Sequence, residues 1–206
     1  MARLNAPVGA LTVWLLAATS GAILQTLVAD PMTLAWDRAA LDAAHQYWRL
    51  VTGPWIHLSW AHLGLNLAGL AVVLLMFARI TTAAAQAVAL VSICVLTDLL
   101  LWVVFPSATW RVGLLGPLHG LFAWAALRLV TTPDPAPDQA WWRGPAFGWV
   151  LLAGRAIKLA LESLIVVDPQ QVAWIGGPVL RSAHQAGTLA GLLVAAADYA
   201  WRRVRA

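Results

Sequence analysis

Few side chains in this sequence can carry out chemistry, and histidines lead them. His184 is followed by Gly187 and Gly191 in the run Ala183-His-Gln-Ala-Gly-Thr-Leu-Ala-Gly191. An imidazole can accept and return a proton near neutral pH. Small residues at that spacing let the helix that carries it approach a second helix closely, which would bring His184 to the span that opens near Leu115. His62 and Asn66 stand four residues apart, on one face of a helix. Both can donate hydrogen bonds to a developing oxyanion. His57 precedes them, and His119 and Gly120 close the segment Val112-Gly-Leu-Leu-Gly-Pro-Leu-His-Gly120. Arg155, Lys158 and Glu162 share one helix face, and Lys158 can pair with Glu162. They read first as a structural ion-pair set and second as the lining of a groove or wet cavity. Asp98 is a further charge inside an apolar run, and His45 reads as a solvated loop residue. Cys94 is the single cysteine, so no intrachain disulfide forms, and no Cys/His cluster has zinc-ligand spacing. No metal or organic cofactor is expected.

The elements that must position these groups are membrane helices. Of the 206 residues, 61% are hydrophobic and 11% charged, against about 45–50% and ~25% in soluble domains. Residues 4–29, 50–78, 80–97, 112–127 and 182–197 carry no Asp, Glu, Lys or Arg, and several of these runs reach the ~20 residues a spanning helix needs. An all-α integral membrane protein with a single domain over residues 1–206 is expected. Its six spans fall near residues 8–29, 61–80, 83–105, 114–131, 145–166 and 181–200. Arg3 and Ser20-Gly-Ala22 weakly suggest a cleaved leader, but the run to Ala29 is longer than a leader's apolar core. Residues 30–60 read as an ordered external or interfacial segment, and Thr132-Pro-Asp-Pro-Ala-Pro-Asp138 as a linker that cannot continue a helix.

The formal charge of +4, from 13 Lys+Arg against 9 Asp+Glu, fits topology better than nucleic-acid binding. The arginines flank the apolar runs. With the N-terminus inside, Arg3, Arg79, Arg128, Arg143, Arg202, Arg203 and Arg205 lie on the inner side. Arg38, Arg49, Arg111 and Arg181 lie on the outer side. Trp55, Trp60, Trp110, Trp141, Trp142 and Trp201 suit the two interfacial belts. Spans two, four and six then all begin on the outer side. His62, Asn66, Leu115 and His184 come to one membrane depth.

Three segments together resemble the rhomboid family of intramembrane serine proteases. Trp48-Arg49-Leu50-Val51-Thr52, followed by His57 and by His62-Leu-Gly-Leu-Asn66, is similar to the family's first loop and second helix. Gly113-Leu114-Leu115-Gly116 stands where the family has Gly-x-Ser-Gly, and Ala183 to Gly191 looks like its last helix. The resemblance implies a six-transmembrane-helix bundle in a bacterial inner membrane, with both termini cytoplasmic and the active site near the outer face. His184 would be the general base. His62 and Asn66 would bind the oxyanion with the backbone N–H at position 115. His119 matches the histidine of a Ser-Gly-x-x-His-Gly form of the loop, where it either orients the site or packs beside Gly120. Leu159-Ala-Leu-Glu162-Ser163 and Leu118-His119-Gly120 are reminiscent of the rhombosortase subfamily. That subfamily processes proteins with a C-terminal Gly-Gly sorting tail. Membrane lipid and the transmembrane tail of a substrate are the implied partners; a cofactor and nucleic acid are not.

Leu115 departs from the pattern. Leucine is neither a nucleophile nor an acid or base, so His184 has nothing to activate. Ser59, Ser107, Thr109 and Ser182 lack the spacing to substitute. Three accounts of Leu115 stand open: an introduced inactivating change, a natural pseudoprotease that binds transmembrane segments without cutting them, or another serine acting. An unrelated transporter would be expected to show inverted repeats and broken helices, and the sequence shows neither.

Overall fold

The computed structural model describes residues 6–132, 144–162, 164, 169–177 and 179–204. Arg3, Arg143, Arg205, Trp141, Trp142, Ser163 and the linker residues Pro133 to Asp138 lie outside the described residues.

Helices stand at each of the six expected positions: α1 (Ala6–Leu27), α4 (Trp60–Met76), α5 (Ala83–Val104), α6 (Leu115–Val130), α7 (Pro145–Glu162) and α9 (Arg181–Val204). Short helices α2 (Arg38–Ala44), α3 (Arg49–Thr52) and α8 (Pro169–Ile175) lie between them. Side chains set several starts by accepting from backbone N–H groups that a first turn leaves free. Asp37 caps α2 through Ala40 N at 2.8 Å, Ser59 caps α4 through His62 N at 3.1 Å, and Thr82 caps α5 through Ala85 N at 3.2 Å. Leu114, before α6, supplies no such cap. Among the described residues, Pro7–Leu27 and Ala83–Val104 are each long and apolar enough to cross a membrane. Arg49–Trp55 and Trp60–Met76, bent by 94° at their break, qualify together as a third, and Leu115–Val130 is apolar but shorter.

α6 is the centre of the bundle and is buried nearly all round, from Gly116 to Leu129. It packs against α9, α7, α5 and α4, while α1 lies on α4 and α5. The α6–α9 contact is backbone on backbone. A Cβ on Gly187 would strike the carbonyl oxygen of Gly116, and one on Gly191 that of Gly120. α1 docks through Trp14, whose Nε1 donates to Leu67 O at 2.7 Å.

Residues 30–60 form an ordered strap, as expected, with one feature that an all-α reading lacks. Trp36–Asp37 (β1) pairs antiparallel with Trp110–Arg111 (β2), Trp36 opposite Arg111. A two-residue ladder has no period to read in the sequence. The strap's arginines are structural donors, beyond the topological role expected of them. Arg38 donates to the carbonyls of Leu101, Trp102, Phe105 and Ala108, at or just beyond the end of α5. Arg49 is buried and donates to Met32 O and Ala35 O. These bonds add charged donors to carbonyls at a helix end and a buried turn, three of which, those of Met32, Leu101 and Phe105, also accept a backbone N–H.

Candidate active site

The starts of α4, α6 and α9 converge on one cavity of about 390 Å³. His62 and Asn66 from α4, Leu115 and Gly116 from α6, and His184 from α9 line it together. The sequence expected these elements to share one depth; the structure places the five residues around one space. Thr109 and Arg111, from the stretch before α6, complete part of the wall.

His62 presents a donor. Its Nδ1 accepts from the Leu58 backbone N–H at 3.3 Å, which puts the proton of the neutral ring on Nε2. Asn66 Nδ2 donates one hydrogen to His62 O at 3.0 Å and keeps a second. Both side chains press on Gly113, which has a φ of 84°. A Cβ there would lie 2.7 Å from His62 Nε2 and 3.2 Å from Asn66 Nδ2. Only glycine combines that backbone conformation with that approach. Arg111 steadies the turn, donating to Gly113 O at 3.1 Å and pairing with Asp98 at 2.5 Å, both side chains buried. Gly113 N donates to Gly53 O at 3.3 Å, so the strap holds the turn from its other side. His57 is buried edge-on to His62, with ring centroids 5.1 Å apart, and its Nδ1 lies 3.1 Å from Trp55 O. His45, by contrast, is exposed and ends α2 with a φ of 53°.

His184 is held on three sides. Its ring stacks on His119, with centroids 4.1 Å apart and planes at 24°. Its Nδ1 lies 2.9 Å from Glu162 Oε2 on α7. Its carbonyl accepts from Arg155 Nη2 at 3.3 Å and from Thr188 Oγ1 at 2.7 Å. Nε2 is buried and has no hydrogen-bond partner among the described residues. His119 is fixed in turn by Leu115 O, 2.7 Å from its Nδ1. Of the hydroxyls considered as substitutes, Ser59 is engaged as the α4 cap. Thr109 shares the cavity wall, yet no hydrogen bond joins it to His184.

The ion-pair set on α7 divides. Lys158 pairs with Glu162 as expected, but Arg155 turns to Thr188 and Glu162 reaches the candidate base. The Glu162–His184 contact crosses 22 residues of sequence; only the i, i+4 partner of Glu162 was visible as a pattern. His119, Glu162 and His184 also bring potential metal-ligand atoms within 4.8 Å of one another, a cluster that sequence spacing did not reveal. Three of its ligand atoms are engaged otherwise. Both Nδ1 atoms face an oxygen, and the ammonium of Lys158 sits where a cation would need Glu162's charge.

Comparison with known proteins adds one finding: the family model for the Rhomboid domain matches residues 44–201. No curated protein and no solved structure matched. The matched stretch runs from the strap through α9 and takes in every residue that lines the cavity. The chain belongs to the rhomboid family.

Proposed function

We propose that this chain is a rhombosortase-like rhomboid whose peptide-cutting chemistry is silent because Leu115 fills the place of the nucleophilic serine. One observation carries the reading: Leu115 shares a cavity with His62, Asn66 and a His184 whose Nε2 has nothing to bind. A base, a set of oxyanion donors and an open helix start are present, and the hydroxyl is missing. In this reading six helices cross a bacterial inner membrane, both termini are cytoplasmic, and the cavity opens near the outer face. Its ligand is the apolar C-terminal tail of another protein, entering from the lipid and unwinding at a Gly-Gly step. Glycines open a helix at low steric cost. The chain as it stands holds such a tail without cutting it, which is also what a natural pseudoprotease would do.

The test is a cleavage assay in detergent or liposomes with a Gly-Gly-tailed substrate. The chain should cut no faster than its His184→Ala variant. Leu115→Ser should cut, and the new serine should react with a fluorophosphonate. Cleavage by the unaltered chain above the His184→Ala control would overturn the reading. A folded Leu115→Ser variant that neither cuts nor labels would leave only the pseudoprotease account.

A further inference from the structure

We infer that Glu162 is a positioning residue for His184: its carboxylate fixes the tautomer and ring orientation that the base requires. The inference rests on the rhomboid reading of the site and extends it to α7. An ionised carboxylate can only accept, so the 2.9 Å contact places the ring proton on Nδ1. The lone pair then lies on Nε2, the atom with no partner. That is the state a general base must hold before it takes a proton from a hydroxyl. A carboxylate on one ring nitrogen sets which form the other presents.

The surroundings favour orientation over a surface ion pair. The His184 side chain is 6% exposed and that of Glu162 16%. Glu162 divides its two oxygens: Oε1 takes Lys158 and Oε2 takes the ring. Lys158 therefore balances the charge and aims the carboxylate, a task its 54% exposed side chain can perform from the rim. His119 holds the flat face of the same ring, and its own Nδ1–H is committed to Leu115 O. In-plane and face-on restraints together leave the imidazole one orientation. Arg155 secures the backbone beneath it through Thr188 Oγ1, at 2.8 Å and 3.0 Å, and His184 O. Among the described residues, the charged or titratable groups around His184 are thus His119 on α6 and Arg155, Lys158 and Glu162 on α7, with His62 and Arg111 across the cavity.

The experiment has two arms. In the first, the unaltered chain is labelled with ¹⁵N-histidine, and the His184 signal is assigned by its loss in His184→Ala. NMR should show Nδ1 protonated and Nε2 bare. In Glu162→Gln, whose amide can donate to Nδ1, the Nε2–H form should appear. An Nε2–H ring in the unaltered chain, or an unchanged tautomer in both Glu162→Gln and Glu162→Ala, would overturn the inference. This arm needs no cleavage, so it stands even if Leu115→Ser fails to cut and the functional reading falls. In the second arm, on the Leu115→Ser background, Glu162→Gln should lower kcat by roughly 10²-fold or more with KM little changed, and Glu162→Asp should recover part of the loss. A fall through KM alone, or no fall, would count against positioning.

Discussion

Leu115 differs from serine by bulk as well as by chemistry. It is half-buried in the cavity wall, so its replacement removes apolar packing while it supplies the hydroxyl. Leu115→Ser should therefore gain activity and lose about 1–2 kcal/mol of stability; thermal unfolding in detergent measures the loss. Gly113 makes the opposite case. Its φ of 84° strains any side chain by about 1–2 kcal/mol, and a Cβ would push on the His62 ring. Gly113→Ala in the Leu115→Ser background should depress cleavage more than unfolding temperature, since the displaced group is the proposed oxyanion donor. Paired cleavage and melting measurements separate the two. At this scale the sequence was legible where a residue and its neighbours form a local pattern: His184 with its glycines, His62 with Asn66. It was illegible where a side chain meets a distant one. The family pattern left His119 open as a residue that orients the site, but nothing near Glu162 in the sequence announces that it meets His184.

Among the elements, the pair α6 and α9 carries the site, and glycine sets their separation. Gly187→Val should force the helices apart, at a cost of about 1–3 kcal/mol, and carry His184 away from position 115. Gly154 on α7 is the matched control: a Cβ there meets nothing within 4 Å. Gly154→Ala should be neutral or stabilising by about 0.5–1 kcal/mol. Denaturant or thermal unfolding of both variants checks the contrast. The Gly-xxx-Gly spacing announced close approach to the helix that opens at position 115, and α6 is that helix; it did not name the atoms that would partner it. Those atoms are the backbone of Gly116 and Gly120, a second pair at the same spacing, whose meaning depends on which helix lies opposite.

For the molecule as a whole, apolar run lengths were enough to place five of the long helices within a few residues of where they lie, because burial in lipid or protein demands long uncharged segments; α7, with Arg155, Lys158 and Glu162, has no such run. The strap was not legible beyond its order. Its hold on the bundle depends on a two-residue ladder and on arginines that look, in sequence, like membrane flanks. Asp98 and Arg111 tie α5 to the turn before α6, with 0% and 3% of their side chains exposed. Asp98→Ala should cost about 3–5 kcal/mol by leaving a buried charge uncompensated, measurable as a large drop in unfolding temperature. The β1–β2 ladder has a further consequence for the birth of the protein. Trp36 is made long before Arg111, its partner, and the glycine face of α6 waits for α9, the last helix of the chain. A polypeptide delivered to the membrane from its N-terminus must hold its early half open until the later half arrives. The cavity between α4, α6 and α9 is thus the final compartment to close, and a nascent chain carries no assembled candidate site until its last helix has arrived.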